Sequence, residues 1–245
     1  MTDTTAVQVA PEAVETNKGH EGAQIIISLQ QKGGAGKTTM LCCLAGAMAR
    51  DGAKILFLDT EAGFPAAAWC EDLDDENVDC IEITSEEQLP ATVEQYQDHY
   101  DAILIDTAGW DSRMASYAIG EAHLILIPCK SSKKDSIQAV KTYFHAKTAT
   151  KNHKKAPEIV INLWGLKKYT NVAERTRVEM AEAKMPVLPY TMPALTGFEQ
   201  MDWAGGMPQG AAAAAFQQWL GAMQNEHHLV YYDRGPLSQK TTEVA

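Results

Sequence analysis

Seven short runs of β-branched and aliphatic residues recur along the chain: Gln24 to Leu29, Lys54 to Leu58, Cys80 to Ile83, Ala102 to Ile105, His123 to Ile127, Glu158 to Asn162 and Pro186 to Leu188. Nearly every position in them is apolar, without the alternation of a strand that has one face in water. They therefore predict parallel strands covered on both sides. Between them lie segments of helical period or composition, at Thr38 to Arg50, Ser85 to Tyr100, Ser112 to Gly120, Lys133 to Thr150 and Asn171 to Lys184. Strand and helix in alternation predict an α/β fold, a doubly wound, mostly parallel sheet with helices on both faces. Asp51-Gly52 stops the first helix, and Ser85 with Gln88 has the spacing of a capping box, although Pro90 would then disturb that helix's first turns. Phe216, Trp219, Leu220 and Met223 repeat at i, i+3, i+4 and i+7, which marks an amphipathic closing helix packed on the core.

The ends lack this periodicity. Residues 1–22, rich in Thr, Glu, Ala and Val, predict a flexible tail; residues 23–226 hold the folded domain; residues 227–245 read as a polar C-terminal tail. With 245 residues, 45% of them apolar and 22% charged, the composition is that of a folded protein and excludes a fibrous or disordered chain. No apolar run approaches the roughly 20 residues of a membrane helix. The first residues carry no basic head and no continuous apolar core, so a cytoplasmic address is expected. Five cysteines without a CxxC pair predict buried thiols rather than disulfides or zinc. The formal charge of -11 argues against bulk affinity for nucleic acid, yet residues 130–184 contain 13 Lys/Arg against 5 Asp/Glu. That segregation predicts a basic face on an acidic protein.

The first run is followed by Gln31-Lys32-Gly33-Gly34-Ala35-Gly36-Lys37-Thr38-Thr39, which opens the first helix. A glycine loop between strand and helix turns successive backbone N–H groups toward phosphate oxygens, and the helix N-terminus adds partial positive charge. Lys37 is placed to reach the β and γ phosphates, and the Thr38 hydroxyl to ligate Mg²⁺. Mg²⁺ also needs carboxylates at neighbouring strand ends. Two candidates stand there: Asp106, ending AILID before Thr107-Ala108-Gly109, and Asp59-Thr60-Glu61, ending ILFLD.

The first glycine of the ordinary phosphate loop would fall at Gln31, and Lys32 follows it. The pattern Lys-Gly-Gly-x-Gly-Lys-Thr resembles the deviant Walker A box of the ParA/MinD family of ATPases. The resemblance covers most of residues 24–225, with conjugation-associated VirC-type members and small plasmid-partition ATPases the most similar. It implies that ATP and Mg²⁺ are bound, that Gly33 to Thr39 cradle the phosphates, and that Lys32 crosses a dimer interface to the partner's nucleotide, much as an arginine finger does. It further implies that Asp106 holds a Mg²⁺-bound water, that Gly109 approaches the γ-phosphate, and that Asn162 and Pro189 lie beside the adenine. Asp59 and Glu61 would form the catalytic first switch, with Glu61 orienting the attacking water. Relatives usually carry Asp where this chain has Glu61, 24 residues after Lys37. The extra methylene displaces the carboxylate, and a misplacement of about 1 Å costs on the order of 100-fold in rate, so slow hydrolysis is expected. The usual Pro-Gln after that motif is absent; Ala62-Gly63-Phe64-Pro65 stands there.

ParA-like proteins bind DNA without sequence preference as ATP-bound dimers and are activated by a ParB-like partner. By that resemblance Lys167, Lys168, Arg175, Arg177 and Lys184 are DNA-binding candidates, and the protein is expected to act as a partition or positioning switch that is nucleoid-associated when ATP-bound. Two other readings share the loop. A metabolic or electron-transfer enzyme of the nitrogenase iron protein type would need paired cysteines, but no cysteine closely follows the DTAG motif to match Cys129. A MinD-like membrane-recruited regulator would need a basic amphipathic end, but NEHHLVYYDRGPLSQKTTEVA is polar and is broken by Gly235-Pro236.

Overall fold

Alternate residues of the apolar runs face opposite ways, and each face finds its own helical layer. In the computed structural model, which describes residues 22–109, 112–167 and 170–234, the strands are β1 (Gln24–Ser28), β2 (Ile55–Asp59), β3 (Val78–Glu82), β4 (Ala102–Asp106), β5 (Leu124–Cys129), β6 (Glu158–Leu166) and β7 (Val187–Pro193). They form one sheet in the order β3-β2-β4-β1-β5-β6-β7, and every pairing is parallel. β1, β2, β4 and β5 are buried at every position, which is why their sequences do not alternate. The edges differ. β3 exposes Asp79 and Glu82, and β7 carries Pro189 and Pro193; charge and proline both discourage further strand pairing.

One face of the sheet is covered by α1 (Lys37–Arg50), α2 (Pro65–Leu73) and α9 (Gly210–Asn225), with the short α7 (Thr196–Glu199) and α8 (Met201–Ala204) beside them. The other is covered by α3 (Gln88–Tyr96), α4 (Arg113–Glu121), α5 (Lys133–Ala149) and α6 (Asn171–Glu182). Ile26 packs into the first core, and Ile25 and Ile27 into the second. The expected closing helix is α9, with Phe216, Trp219, Leu220 and Met223 all buried.

Three expectations change. First, the helix over residues 85–100 is shorter: Gln88 opens it, the Gln88 side chain accepts from the Thr84 amide at 3.1 Å, and Pro90 falls in the first turn, where a missing N–H costs nothing. Second, α2 is not among the helices the pattern predicts. Its signal is Pro65 at the first helical position. Third, the packed chain runs past residue 226: Leu229, Val230 and Tyr231 are buried, the Gln24 side chain bonds the His228 carbonyl and the Val230 amide, and α10 (Val230–Arg234) ends the described part. No helix among the described residues is long and apolar enough to cross a membrane.

The chain leaves β1 for β2 on one side and leaves β4 for β5 on the other. The order thus reverses around β1 and β4, and a crevice opens beyond their carboxyl ends, where ligands of such sheets bind.

Candidate nucleotide site

The parallel register sets Ser28, Asp106 and Asp59 side by side at that crevice. Between β1 and α1 the loop is held from below by Gln30, which is buried: its amide donates to the Pro128 carbonyl at 3.1 Å, and its oxygen accepts from the Gln31 amide at 3.0 Å and the Thr142 hydroxyl at 3.2 Å. Gly36 has φ 101, and a Cβ there would stand 2.7 Å from the Trp164 ring, so both the backbone conformation and the close approach require glycine. Gly109, with φ 145, needs glycine for its conformation alone.

Four of the expected residues converge. Lys37 is buried at the start of α1, and its Nζ lies 4.0 Å from Glu61 Oε1. The Thr38 hydroxyl is 2.5 Å from Asp106 Oδ2 and 3.5 Å from Glu61 Oε2. Asp106 has no exposed surface, and its second oxygen, Oδ1, is buried without a hydrogen-bond partner among the described residues. Burial pushes its carboxyl up to about 7, against the lowering effects of the Thr38 bond and the Lys37 charge; Glu61 and Asp59 add repulsion. A hydroxyl and two carboxylates aimed together, one oxygen of them unpartnered, are hard oxygen donors of the kind Mg²⁺ prefers. Thr60 fixes the first switch, its amide and hydroxyl both donating to the Asp106 carbonyl.

Asp59 has another task. It was expected beside Glu61 in catalysis, but Oδ1 accepts the Glu61 amide at 3.0 Å, and Oδ2 accepts those of Ala66 at 2.7 Å and Ala67 at 3.1 Å. With its oxygens occupied by the Glu61 amide and the start of α2, this buried carboxylate holds the switch loop in place rather than facing the phosphate loop.

Lys32 is 42% exposed, and its ammonium meets Asp135 Oδ1 at 2.6 Å. Asp135, at the start of α5, also accepts the Ser132 hydroxyl, and the Ser132 oxygen caps the Asp135 amide. Burial alone would raise the Asp135 carboxyl, but the bonds to Lys32 and Ser132 hold it below the usual carboxylate range. Lys32 thus stands at the rim of the loop, tethered within its own chain.

The loop opens into two cavities. One, of about 430 Å³, joins Gly34–Thr39 and Glu61 to Trp69, Asp72 and Met201. The second, of about 300 Å³, joins Gly34, Gly36 and Thr39 to Trp164, Pro193, Phe198 and, at its polar edge, Lys130 and Glu199. Neither cavity is lined by the residues expected beside the adenine, Asn162 and Pro189. Asn162 is fully buried inside β6, where its oxygen accepts from Trp219 Nε1 at 2.8 Å and its amide donates to the Val160 carbonyl. Pro189 is exposed on the edge strand and lines neither cavity. β6 continues four residues past Asn162, so Trp164 takes the place beside the loop.

The described DNA candidates are spread from one end of the sheet to the other. Lys167 follows the carboxyl end of β6, Lys184 precedes β7 at the opposite end of the sheet, and Lys168 lies outside the described residues. On α6, Arg177 pairs with Glu174 at 3.0 Å and bonds Thr191, while exposed Arg175 shares the helix with Glu174, Glu179 and Glu182.

A parallel sheet of this order, with a lysine-bearing phosphate loop at its switch point, defines a P-loop protein of the ParA/MinD type. The VirC1 protein family profile matches residues 23–218, and the chain belongs to that family. It is 29% identical to protein virC1 of Rhizobium radiobacter over 189 residues, which cover 74% of this chain and 81% of that one. Two solved structures share the fold. One, from Borrelia burgdorferi B31, is described as a plasmid partition protein bound to AMPPNP, with a TM-score of 0.67, 16% identity and 83% and 99% of the two chains covered. The other is the cell division ATPase MinD of Pyrococcus furiosus, with a TM-score of 0.63, 20% identity and 83% and 99% coverage.

Proposed function

We propose that this chain is a Mg²⁺-dependent ATPase that dimerises on ATP, binds DNA without sequence preference, and works in the cytoplasm as a partition or positioning switch for a plasmid, a chromosome region or a conjugative DNA complex. A ParB-like or cargo-adaptor partner stimulates hydrolysis and releases it. The observation that carries the reading is the convergence of Lys37, Thr38, Glu61 and Asp106 above the glycine loop. Family membership supports it.

Mg²⁺ bound with the triphosphate supplies positive charge against the negative charge that moves to the leaving group. The backbone amides of the loop and the α1 N-terminus bind the phosphates, and Lys37 binds the terminal ones. The Thr38 hydroxyl and Asp106 hold the metal or its waters, and ionised Asp106 gains the cation that its burial lacks. Glu61, tied through Asp59 and Thr60 to the ends of β2 and β4, accepts the proton of the attacking water. Lys32 exchanges a single carboxylate, Asp135, for the phosphates of a neighbouring protomer, which makes closure of the dimer depend on nucleotide. Trp164 and Phe198 pack against the base.

The test is the steady-state hydrolysis of ATP by the full chain. Wild type turns over slowly and requires Mg²⁺; Glu61→Ala lowers the rate by roughly 100-fold or more while leaving ATP affinity within about threefold. A Glu61→Ala variant with the wild-type rate overturns its role as base.

A further inference from the structure

Residues 133–155, which form α5 and the turn after it, contain seven lysines and a single acid, Asp135. That acid is buried at the first turn of the helix, where it is also bonded to Ser132. All seven lysines are exposed, and none forms an ion pair among the described residues. α5 has 17 residues, so the row extends over about 25 Å at 1.5 Å per residue. It runs from the nucleotide edge of the sheet, where Ser132 follows β5, to the opposite edge before β6.

The helix also buries the wrong side chains for a simple core element. Ala139, Thr142 and Ala146 face the sheet, while Ile137 is 46% and Phe144 51% exposed on the outside. Lys133, Lys141 and Lys147 fall within about 80° of these two on a helical projection at 100° per residue. Lysines around a few apolar side chains suit a sugar–phosphate backbone: the ammonium groups take phosphates and release counterions, and the apolar groups pack on deoxyribose.

We infer that the DNA-binding face is the outer side of α5 with the 151–155 turn, and not α6. The inference rests on the DNA-binding part of the proposed function and assigns it to residues. α6 offers less: Arg177 is held by Glu174 and Thr191, and its three glutamates repel phosphate. Glu179 bounds the α5 row, lining a groove with Ile137, Val140 and Lys141. An anionic membrane would also attract lysines. The observations favour DNA because the charge is drawn out along the whole helix and beyond it, while the exposed large apolar groups of α5 are only two.

The experiment uses the full chain with Mg²⁺ and a nonhydrolysable ATP analogue, titrated into a fluorescent duplex of arbitrary sequence at several salt concentrations. Lys134→Glu/Lys141→Glu/Lys147→Glu should weaken binding by roughly tenfold or more, and the corresponding glutamine variant should flatten the salt dependence by about one unit of slope per lysine in each protomer. Arg175→Glu/Arg177→Glu should change affinity by less than about threefold, and Glu179→Lys should tighten it. Unfolding midpoints and ATP hydrolysis without DNA report whether each variant is folded, and the glutamine variant carries the test if the glutamate variant is not. Loss of binding in the α6 variant with retention in the α5 variants overturns the inference and leaves DNA binding standing. Failure of the wild type to bind duplex removes the DNA reading and the inference together. Wild-type sedimentation with phosphatidylglycerol vesicles, lost in the α5 variants while DNA affinity is unchanged, assigns the face to membrane and also overturns it.

Discussion

Asp106→Asn isolates the electrostatic cost of the metal-facing carboxylate. In the nucleotide-free protein its carboxyl is raised from 3.8 to about 7, chiefly by burial. In the unfolded chain it titrates near its ordinary value. Below about pH 4 both states carry the proton and the group contributes nothing; between pH 4 and 7 the folded state keeps a proton that the unfolded chain releases, so stability falls as pH rises. Above pH 7 both states are ionised and the full cost is present. A difference of about 3 units at about 1.4 kcal/mol each sets an upper bound of about 4 kcal/mol. Asparagine keeps the acceptor for the Thr38 hydroxyl and removes the charge. Urea unfolding followed by circular dichroism, without Mg²⁺ or nucleotide, should find the variant more stable by roughly 2–4 kcal/mol at pH 8, with the gap shrinking steadily toward pH 5. With Mg²⁺ and ATP the order should reverse, because only the carboxylate gains the cation. A gap that does not vary with pH, or a wild type at least as stable at pH 8, would refute the reasoning.

Asp59→Ala leaves three backbone amides without their acceptor, so stability should drop by about 3 kcal/mol, and hydrogen exchange at Ala66 and Ala67 should accelerate well before global unfolding. Unchanged exchange at those amides would remove its holding role. Trp164→Leu should weaken ATP binding by about tenfold, about 1.4 kcal/mol, and leave tripolyphosphate binding unchanged. Equal losses for both ligands would mean that Trp164 acts through the phosphate loop and not on the base.

The sheet and its phosphate loop were legible because their causes are local. Apolar runs without alternation have only one common solution, a parallel sheet covered on both faces, and the glycine loop lies where strand meets helix. Lys37, Thr38, Glu61 and Asp106 could be brought together from their places at the start of the first helix and at strand ends. The misreadings have physical origins too. Asn162 reads as a strand end because a polar side chain closes the apolar run, yet Trp219, 57 residues later, supplies the partner that lets it be buried mid-strand. Once β6 is extended, Trp164 follows as the residue beside the loop. Asp59 and Glu61 look equivalent in sequence; only the amides of α2, itself marked by nothing stronger than Pro65, separate the carboxylate that holds from the one that reaches the phosphate-binding residues. Gln30 gave no signal, since its partners, Pro128 and Thr142, are about a hundred residues away. Net charge by segment locates the basic region but not how its charges are disposed: the Arg177–Glu174 pair on α6 and the exposure of Ile137 and Phe144 on α5 are tertiary facts.

Sedimentation equilibrium of the Glu61→Ala chain with Mg²⁺ and ATP tests the central claim most directly, because blocked hydrolysis preserves whatever ATP assembles. Dimers should form with ATP and not with ADP, and Lys32→Ala in the same background should remain monomeric while binding ATP normally. Dimers that persist without Lys32, or monomers throughout, would contradict an assembly closed by one lysine passing from Asp135 to its neighbour's phosphates.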